Sequence, residues 1–354
     1  MNKTSEKFLQ QLLEAPSPSG FEQPAAKVFR DYVKKDVDQL ITDAHGNTIT
    51  VLNPKAKFKF MLAGHIDEIG LMVTHIDKDG YIYTAQVGGM DPALLIGQRV
   101  KILTEKGNVF GVIGRKAIHH MTPDERGKGV KMDNIWVDIG ADSKEDAQKR
   151  VEIGDPMVID VPYRRMTDDK IVSRAMDDKA GAFIVAEVMR RLAKKKKDLK
   201  ISVIGVATVQ EELGLRGAIT SSYSVNPDAG IAIDVGFASD HPDTDKKKLG
   251  DLKLGEGPNL HRGANINPVL EKALLKTAKK HKIPYQITAE ARATGTDANA
   301  IQLCRGGAAA TLISIPNRYM HTPVEMISIS DMDNIIKLIV AYITEHPANR
   351  DYRI

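Results

Sequence analysis

Cysteine is almost absent from this chain: Cys304 is the only one among 354 residues. No internal disulfide can form and no cysteine-built metal site exists, which fits a reducing compartment. Aromatic residues make up 5% of the chain, too few for stacking platforms that hold single-stranded nucleic acid. Lys plus Arg number 50 against 46 Asp plus Glu, an excess of +4 too small and too scattered to attract nucleic acid. No apolar run approaches the roughly 18 residues needed to span a bilayer. The opening MNKTSEKFLQQLLEAPSPSG has no uninterrupted apolar core, so it does not read as a secretory leader. Leu9, Leu12 and Leu13 instead fall at the spacing of an amphipathic helix. These absences predict a soluble cytoplasmic protein with neither nucleic-acid nor membrane partners.

What is present points to two structural textures, and 354 residues exceed what one core commonly supports. Helices are expected over Ser5 to Ala15 and Gln23 to Val37, with short strands Asn47 to Leu52 and Phe58 to Ala63. From Gly70 to Tyr163 the segments are short, β-branched and broken by Gly, Asp or Lys-Gly, as in a small β barrel or sandwich. After Ser173 the pattern alternates. Strands Ile201 to Val209, Ala229 to Val235, Tyr285 to Thr288 and Ala309 to Ile315 interleave with helices from about Asp178, Pro268, Asp297 and Asp331. Alternation of this kind predicts an α/β fold: a mostly parallel sheet with helices on both faces. The simplest organisation is an α/β domain made of residues 1–69 and 164–354, with a β domain inserted as residues 70–163.

The chemistry lies where apolar strands run into acids and histidines. Phe60 to Gly64 leads into His65 and Asp67, Ile201 to Gln210 into Glu211 and Glu212, Ala229 to Ile233 into Asp234, and Ala310 to Pro316 toward His321. In open α/β sheets the carboxyl ends of the strands form the ligand edge. Buried carboxylates there must be paired or bound to a cation. Asp177 and Asp178 open a long helix, followed by Gly181, a pattern more specific than a lone capping Asp. Two histidines and three carboxylates form a donor set that zinc accepts. Asp67 can hold the second ring nitrogen of His65 and fix its tautomer. Side chains of the neighbours Glu211 and Glu212 diverge, so one can grip a metal while the other faces water.

The strings that carry this set are Gly64-His-Ile-Asp-Glu-Ile-Gly70, Ala175-Met-Asp-Asp-Lys-Ala-Gly181, Val209-Gln-Glu-Glu-Leu-Gly-Leu-Arg-Gly-Ala218, Ile233-Asp-Val235, Gly295-Thr-Asp-Ala298 and Asn317-Arg-Tyr-Met-His-Thr-Pro-Val-Glu-Met326. Through them the whole chain resembles the tetrahedral, glutamyl and deblocking aminopeptidases among the co-catalytic metallopeptidases. The resemblance implies a zinc-peptidase-like fold and a metal-dependent aminopeptidase acting on short peptides. It implies two divalent ions per subunit, zinc first, with cobalt and manganese compatible. His65 and Asp234 would hold one ion, Glu212 and His321 the other, with Asp177 bridging. Glu211 would be the general base and acid, and Asp67 would orient His65. It further implies a cis peptide bond after Asp177, dimerisation through the β insert, and assembly of dimers into a hollow tetrahedral dodecamer. The chain departs slightly from the pattern, with Asp178 where many relatives carry Asn.

Other polar features read more plainly. His119 and His120 suit a solvated loop, His75, His261 and His281 suit surface or lightly buried positions, and Lys194 to Lys197 suit a solvated helix end. Cys304 suits a buried small apolar position. A glycosidase would need two carboxylates flanking a sugar and would leave the histidines idle. A deacylase of N-acyl amino acids shares the ligand logic but is expected to carry an α/β lid. A non-catalytic assembly protein should have lost a ligand or Glu211, and all are present.

Overall fold

A computed structural model describes residues 1–354. Four parallel strands, Ser202–Thr208, Lys59–His65, Ala229–Phe237 and Ala309–Arg318, lie side by side at the centre of an 11-stranded sheet. They are buried almost throughout, as expected of strands covered on both faces. Alternate residues serve opposite sides. Phe60, Leu62, Ile231, Ile233, Ile313 and Ile315 join the larger core, whereas Met61, Ala63, Ala232, Ala310 and Leu312 join a smaller one. Helices Lys3–Glu14, Gln23–Val33, Met176–Ala193, Pro268–Lys280 and Ile329–Thr344 close the larger core, and Asp297–Gln302 covers the smaller. None of the helices is long and apolar enough to cross a membrane.

The sheet departs from a simple parallel pattern at its flanks. Thr48–Leu52 pairs antiparallel with Ser202–Thr208, and Asn259–Gly263 and Glu325–Ser328 both pair antiparallel with Ala309–Arg318. Six further strands between Gly70 and Ile159 close into a separate barrel around Leu71, Val100, Ile102 and Ile113.

One close approach sets the position of the site. A Cβ on Gly64 would lie 2.6 Å from the backbone carbon of Gly181, so strand Lys59–His65 and helix Met176–Ala193 touch backbone to backbone. A Cβ on Gly181 would in turn fall 2.3 Å from an Asp178 oxygen, the oxygens of which take up that space. The glycine that marked this helix in the sequence is therefore required by contact. The first residues of the helix are not helical: Asp177 and Asp178 have φ/ψ of −78/107 and −122/37. Their peptide bond is cis, as the resemblance implies.

Candidate active site

The cluster forms at the carboxyl edge of the central strands. His65 is the last residue of its strand, and Glu211 and Glu212 follow strand Ser202–Thr208 in a turn. His321 follows strand Ala309–Arg318. Asp234 lies inside strand Ala229–Phe237, three residues before its end, and the strand runs two residues beyond the expected Ala229 to Val235. Pairing with Ala309–Arg318 continues as far as Phe237 and extends the strand.

Asp177 stands at the centre. Its Oδ1 is 3.0 Å from His65 Nε2 and its Oδ2 is 3.3 Å from His321 Nε2. Around His65 Nε2 also lie Glu211 Oε2 at 3.9 Å and Asp234 Oδ1 at 4.0 Å. Around His321 Nε2 lies Glu212 Oε1 at 3.4 Å. The five ligand-type residues, with Glu211, thus come together as two groups that share Asp177. Behind His65, Nδ1 faces only acceptors: the Asp67 carbonyl oxygen at 3.2 Å and Asp67 Oδ1 at 3.4 Å. A proton on Nδ1 leaves Nε2 free to offer its lone pair into the cluster.

Asp67 also reaches across to the next strand end. Its Oδ1 accepts the backbone N–H of Glu211 at 3.1 Å, and its Oδ2 accepts that of Glu212 at 3.2 Å and the Ser19 hydroxyl at 2.6 Å. A second buried carboxylate does the same on the far side. Glu325 accepts the backbone N–H groups of Asp177 at 3.0 Å and His321 at 3.1 Å. Glu68, next to Asp67, is held among Arg174, Lys179 and the Ser17 amide. Asp67 and Glu325 fix the backbones that present the cluster, and Glu68 anchors the segment next to Asp67.

Can such a cluster hold a cation? Burial and the charges of Asp234, Asp297 and Asp177 push Glu211 up to about 10. Burial and Asp177 push Glu212 up to about 7, and burial with Asp177 and Asp297 raises Asp234 well above the usual carboxylate range. Asp177 alone stays low, because hydrogen bonds with His321 and His65 outweigh its burial. His321 is correspondingly raised to about 9, chiefly by Asp177. Several buried carboxylates that resist ionising in each other's company are stabilised by added positive charge, and nitrogen with oxygen donors suits a divalent metal.

Ligand atoms of His65, Asp177 and Glu212 all lie within 4.8 Å of one another, as do those of His65, Asp178 and Asp234. Asp178 is nonetheless a scaffold residue. Its Oδ2 accepts the His65 backbone N–H at 3.1 Å and its Oδ1 that of Gly181 at 3.0 Å, so both oxygens are engaged. The other ligand-type atoms of these two groups belong to His65, Asp177, Glu212 and Asp234.

The sequence reading missed Glu325, Glu68 and His261. Glu325 stood inside a recognised string, four residues after His321, without a role assigned to it. His261, expected at or near the surface, is only 5% exposed. Its strand Asn259–Gly263 is flanked by strands on both sides, Gln286–Glu290 and Ala309–Arg318, which cover the ring. His119, His120, His75 and His281 lie at the surface, as expected, and Cys304 is buried.

A cavity of about 900 Å³ opens beside the cluster, with His65, Asp177, Glu211, Glu212, Asp234 and His321 along one end. The comparisons with known proteins agree on what such a chain is. Residues 46–338 match the M42 glutamyl aminopeptidase family. The lysyl aminopeptidase of Pyrococcus furiosus is 39% identical, over 96% of this chain and 96% of that protein. The structure of a TET aminopeptidase from a marine-sediment thaumarchaeote superposes with a TM-score of 0.93 at 34% identity, covering 97% and 96% of the two chains. The TET1 peptidase of Pyrococcus horikoshii, which can assemble into a tetrahedron or a large octahedral shell, gives 0.86 at 30% identity over 97% and 100%. This chain belongs to the M42 glutamyl aminopeptidase family and is a peptide hydrolase of the aminopeptidase kind.

Proposed function

We propose that the protein removes N-terminal residues from short peptides with the help of two divalent metal ions. The observation that carries this reading is the placement of Asp177, with one oxygen toward His65 at 3.0 Å and the other toward His321 at 3.3 Å. Asp177 would serve both ions, with His65 and Asp234 holding one and His321 and Glu212 the other. Zinc suits the mixed donors, and cobalt and manganese are compatible with them. When bound, such ions supply Lewis acidity that polarises a scissile carbonyl and acidifies water.

The chain supplies the rest. Glu211 is the general base, taking the proton of the attacking water on its carboxylate and passing it to the leaving amine. Its backbone N–H is pinned by Asp67, which keeps the side chain at the cluster. Asp67 orients His65 at the same time, so one buried acid aligns a ligand and the base. A glycosidase reading leaves both histidines without work, and their central place argues for peptide hydrolysis.

Residues 70–163 are assigned as an inserted dimerisation domain between catalytic parts 1–69 and 164–354. The barrel exposes Phe110, Val112 and Ile118 by 59%, 48% and 61%, an apolar face that a second subunit can cover. Higher assembly of such dimers into a tetrahedral dodecamer follows the related TET peptidases. The single buried cysteine supports a reducing compartment, the cytoplasm.

The test is metal dependence. After exhaustive chelation, hydrolysis of aminoacyl chromogenic substrates should cease and return with zinc or cobalt at two ions per subunit. Full activity in a metal-free preparation would overturn the reading.

A further inference from the structure

The turn that carries Glu211 and Glu212 is gripped from outside. Beyond strand Ser202–Thr208, four consecutive backbone N–H groups donate to side chains from three remote segments. Val209 donates to Asn47 Oδ1 at 3.1 Å and Gln210 to Glu22 Oε1 at 3.2 Å. Glu211 donates to Asp67 Oδ1 at 3.1 Å and Glu212 to Asp67 Oδ2 at 3.2 Å. Gln210 has a φ of +53, in the left-handed region that a non-glycine residue keeps only when its surroundings hold it there.

Glu22 is the member of this set that the chemistry proposed above leaves without a role. It directly precedes helix Gln23–Val33, where a side chain ordinarily accepts an amide of its own helix. It makes no such bond. Its Oε1 instead accepts the Gly20 N–H at 2.6 Å and the Gln210 N–H, the latter 188 residues away in the chain. The residue is only 4% exposed, and a carboxylate is costly to bury without partners. Burial, with Asp67 nearby, pushes Glu22 up to about 7, so its bonds to the two amides call for an oxygen at that place more than for a charge.

The segment that carries Glu22 is itself locked to the strand end of His65. Ser17 Oγ donates to the Ile66 carbonyl at 2.8 Å, and the Ser19 N–H donates to the Glu68 carbonyl at 3.2 Å. Ser19 Oγ donates to Asp67 Oδ2 at 2.6 Å, and both serines are buried. One short segment thus braces Asp67 through Ser19 and the Gln210 amide through Glu22. Its side chains bond to none of the five ligand residues' side chains and converge on the turn instead.

We propose that Glu22 is a positioning residue for the general base, holding the Gln210 N–H so that the Glu211 carboxylate stands where the attacking water gives up its proton. The inference rests on the reading of Glu211 as that base. The Gln210 amide lies one residue before Glu211, so its release lets the turn swing and carries the carboxylate with it. The Glu212 amide keeps its own bond to Asp67. A displacement of about 1 Å in a reacting group can cost on the order of 10²-fold in rate.

The test uses zinc-saturated full-length protein and the aminoacyl p-nitroanilide it cleaves fastest. Two variants separate reach from charge. Glu22→Asp keeps the charge and suits a helix start, so the chain should fold, but it is one methylene short of the Gln210 N–H. Its kcat should fall about 10- to 100-fold, with KM near the parent value and both zinc ions retained. Glu22→Gln keeps the length and an accepting oxygen, so its kcat should stay close to that of the parent. In a Glu211→Gln background, Glu22→Asp should cost nothing further, because the base it aligns is gone. A tie that served stability alone would lower kcat equally in both backgrounds or not at all. Parent kcat in Glu22→Asp, an equal loss in Glu22→Gln, loss of zinc, or the full loss repeated in the Glu211→Gln background would each overturn the proposal and leave the general-base reading intact. Near-normal turnover in Glu211→Gln alone would overturn both.

Discussion

Glu325 Oε2 accepts the backbone N–H of Asp177 at 3.0 Å, although the two residues lie in different elements far apart in the chain. The other oxygen of the same carboxylate accepts the His321 N–H at 3.1 Å. One buried side chain thus sets the spacing of the central carboxylate and the histidine that faces it. It pairs with Asp67, which binds the amides of Glu211 and Glu212 in the same manner. The cluster is held by two acids that grip backbone, one from each side.

Replacing Glu325 with Gln should therefore act through geometry. An amide offers one accepting oxygen, so one of the two N–H groups meets an NH2 and loses its partner. Leaving a buried donor unsatisfied costs about 1–3 kcal/mol. Urea unfolding of the metal-free variant should show a loss of that size, and zinc occupancy at sub-stoichiometric metal should fall as well. Unchanged stability and occupancy would mean that the two backbones are held by other contacts.

The barrel gives a prediction of another kind. Phe110 and Val112 are two apart on strand Gly107–Arg115 and so face the same way, both exposed. Phe110→Glu with Val112→Lys should leave the barrel folded, because its core residues are untouched, and should yield monomers in sedimentation velocity. A double variant that keeps the parent oligomer would move the contact surface to the α/β domain.

His346 predicts a pH dependence of stability. Burial, with the charge of Arg350 acting in the same direction, lowers it from 6.5 to about 4, and its Nε2 meets the Tyr352 hydroxyl inside an aromatic cluster. The folded state favours the neutral ring. Its contribution is complete above pH 6.5 and is lost as pH falls from there toward about 4, while the unfolded chain gains the proton. The loss amounts to about 3 kcal/mol at most, at 1.36 kcal/mol per unit. Other acids titrate in that window, so the measurement is the difference between the parent and His346→Gln. The parent should lose more stability between pH 7 and 4, and equal losses would contradict the assignment.

The site was legible in the sequence wherever an apolar strand ended in an acid or a histidine. The four central strands are covered on both faces, so their sequences are nearly continuous apolar runs, and the residues just beyond them stand out. Helix Arg216–Val225 was not legible. It buries only Gly217, Ala218, Ser221 and Ser222, and its serine and threonine side chains bond back to the helix carbonyls, as Ser222 does to Ala218 at 2.6 Å. Packing on Asp297–Gln302 and Ser202–Thr208 holds it, and its residues have no strong preference of their own. Glu325 and His261 were missed for a related reason. Their partners are backbone and side-chain groups on remote segments, and no local spacing announces such contacts. Short strands such as Glu325–Ser328 carry too few residues for alternation to show.

The neighbours Glu211 and Glu212 are chemically alike in sequence, and their different placement predicts different failures. Glu212 Oε1 faces His321 Nε2 at 3.4 Å, within the group that shares Asp177, whereas Glu211 Oε2 stands 3.9 Å from His65 Nε2. Glu211→Gln keeps size and polarity but cannot accept the proton of the attacking water. Its turnover should fall about 10²–10⁴-fold, with metal content near that of the parent because no ligand is lost. Glu212→Gln replaces a carboxylate ligand by a neutral amide, so metal content should fall. Activity should then recover in part with excess zinc or cobalt. Metal stoichiometry and kcat for both variants, with and without added metal, separate the two roles. A Glu211 variant that lost an ion and was rescued by excess, beside a fully loaded but inactive Glu212 variant, would reverse the assignment. Near-normal turnover in both would remove acid–base catalysis by this pair.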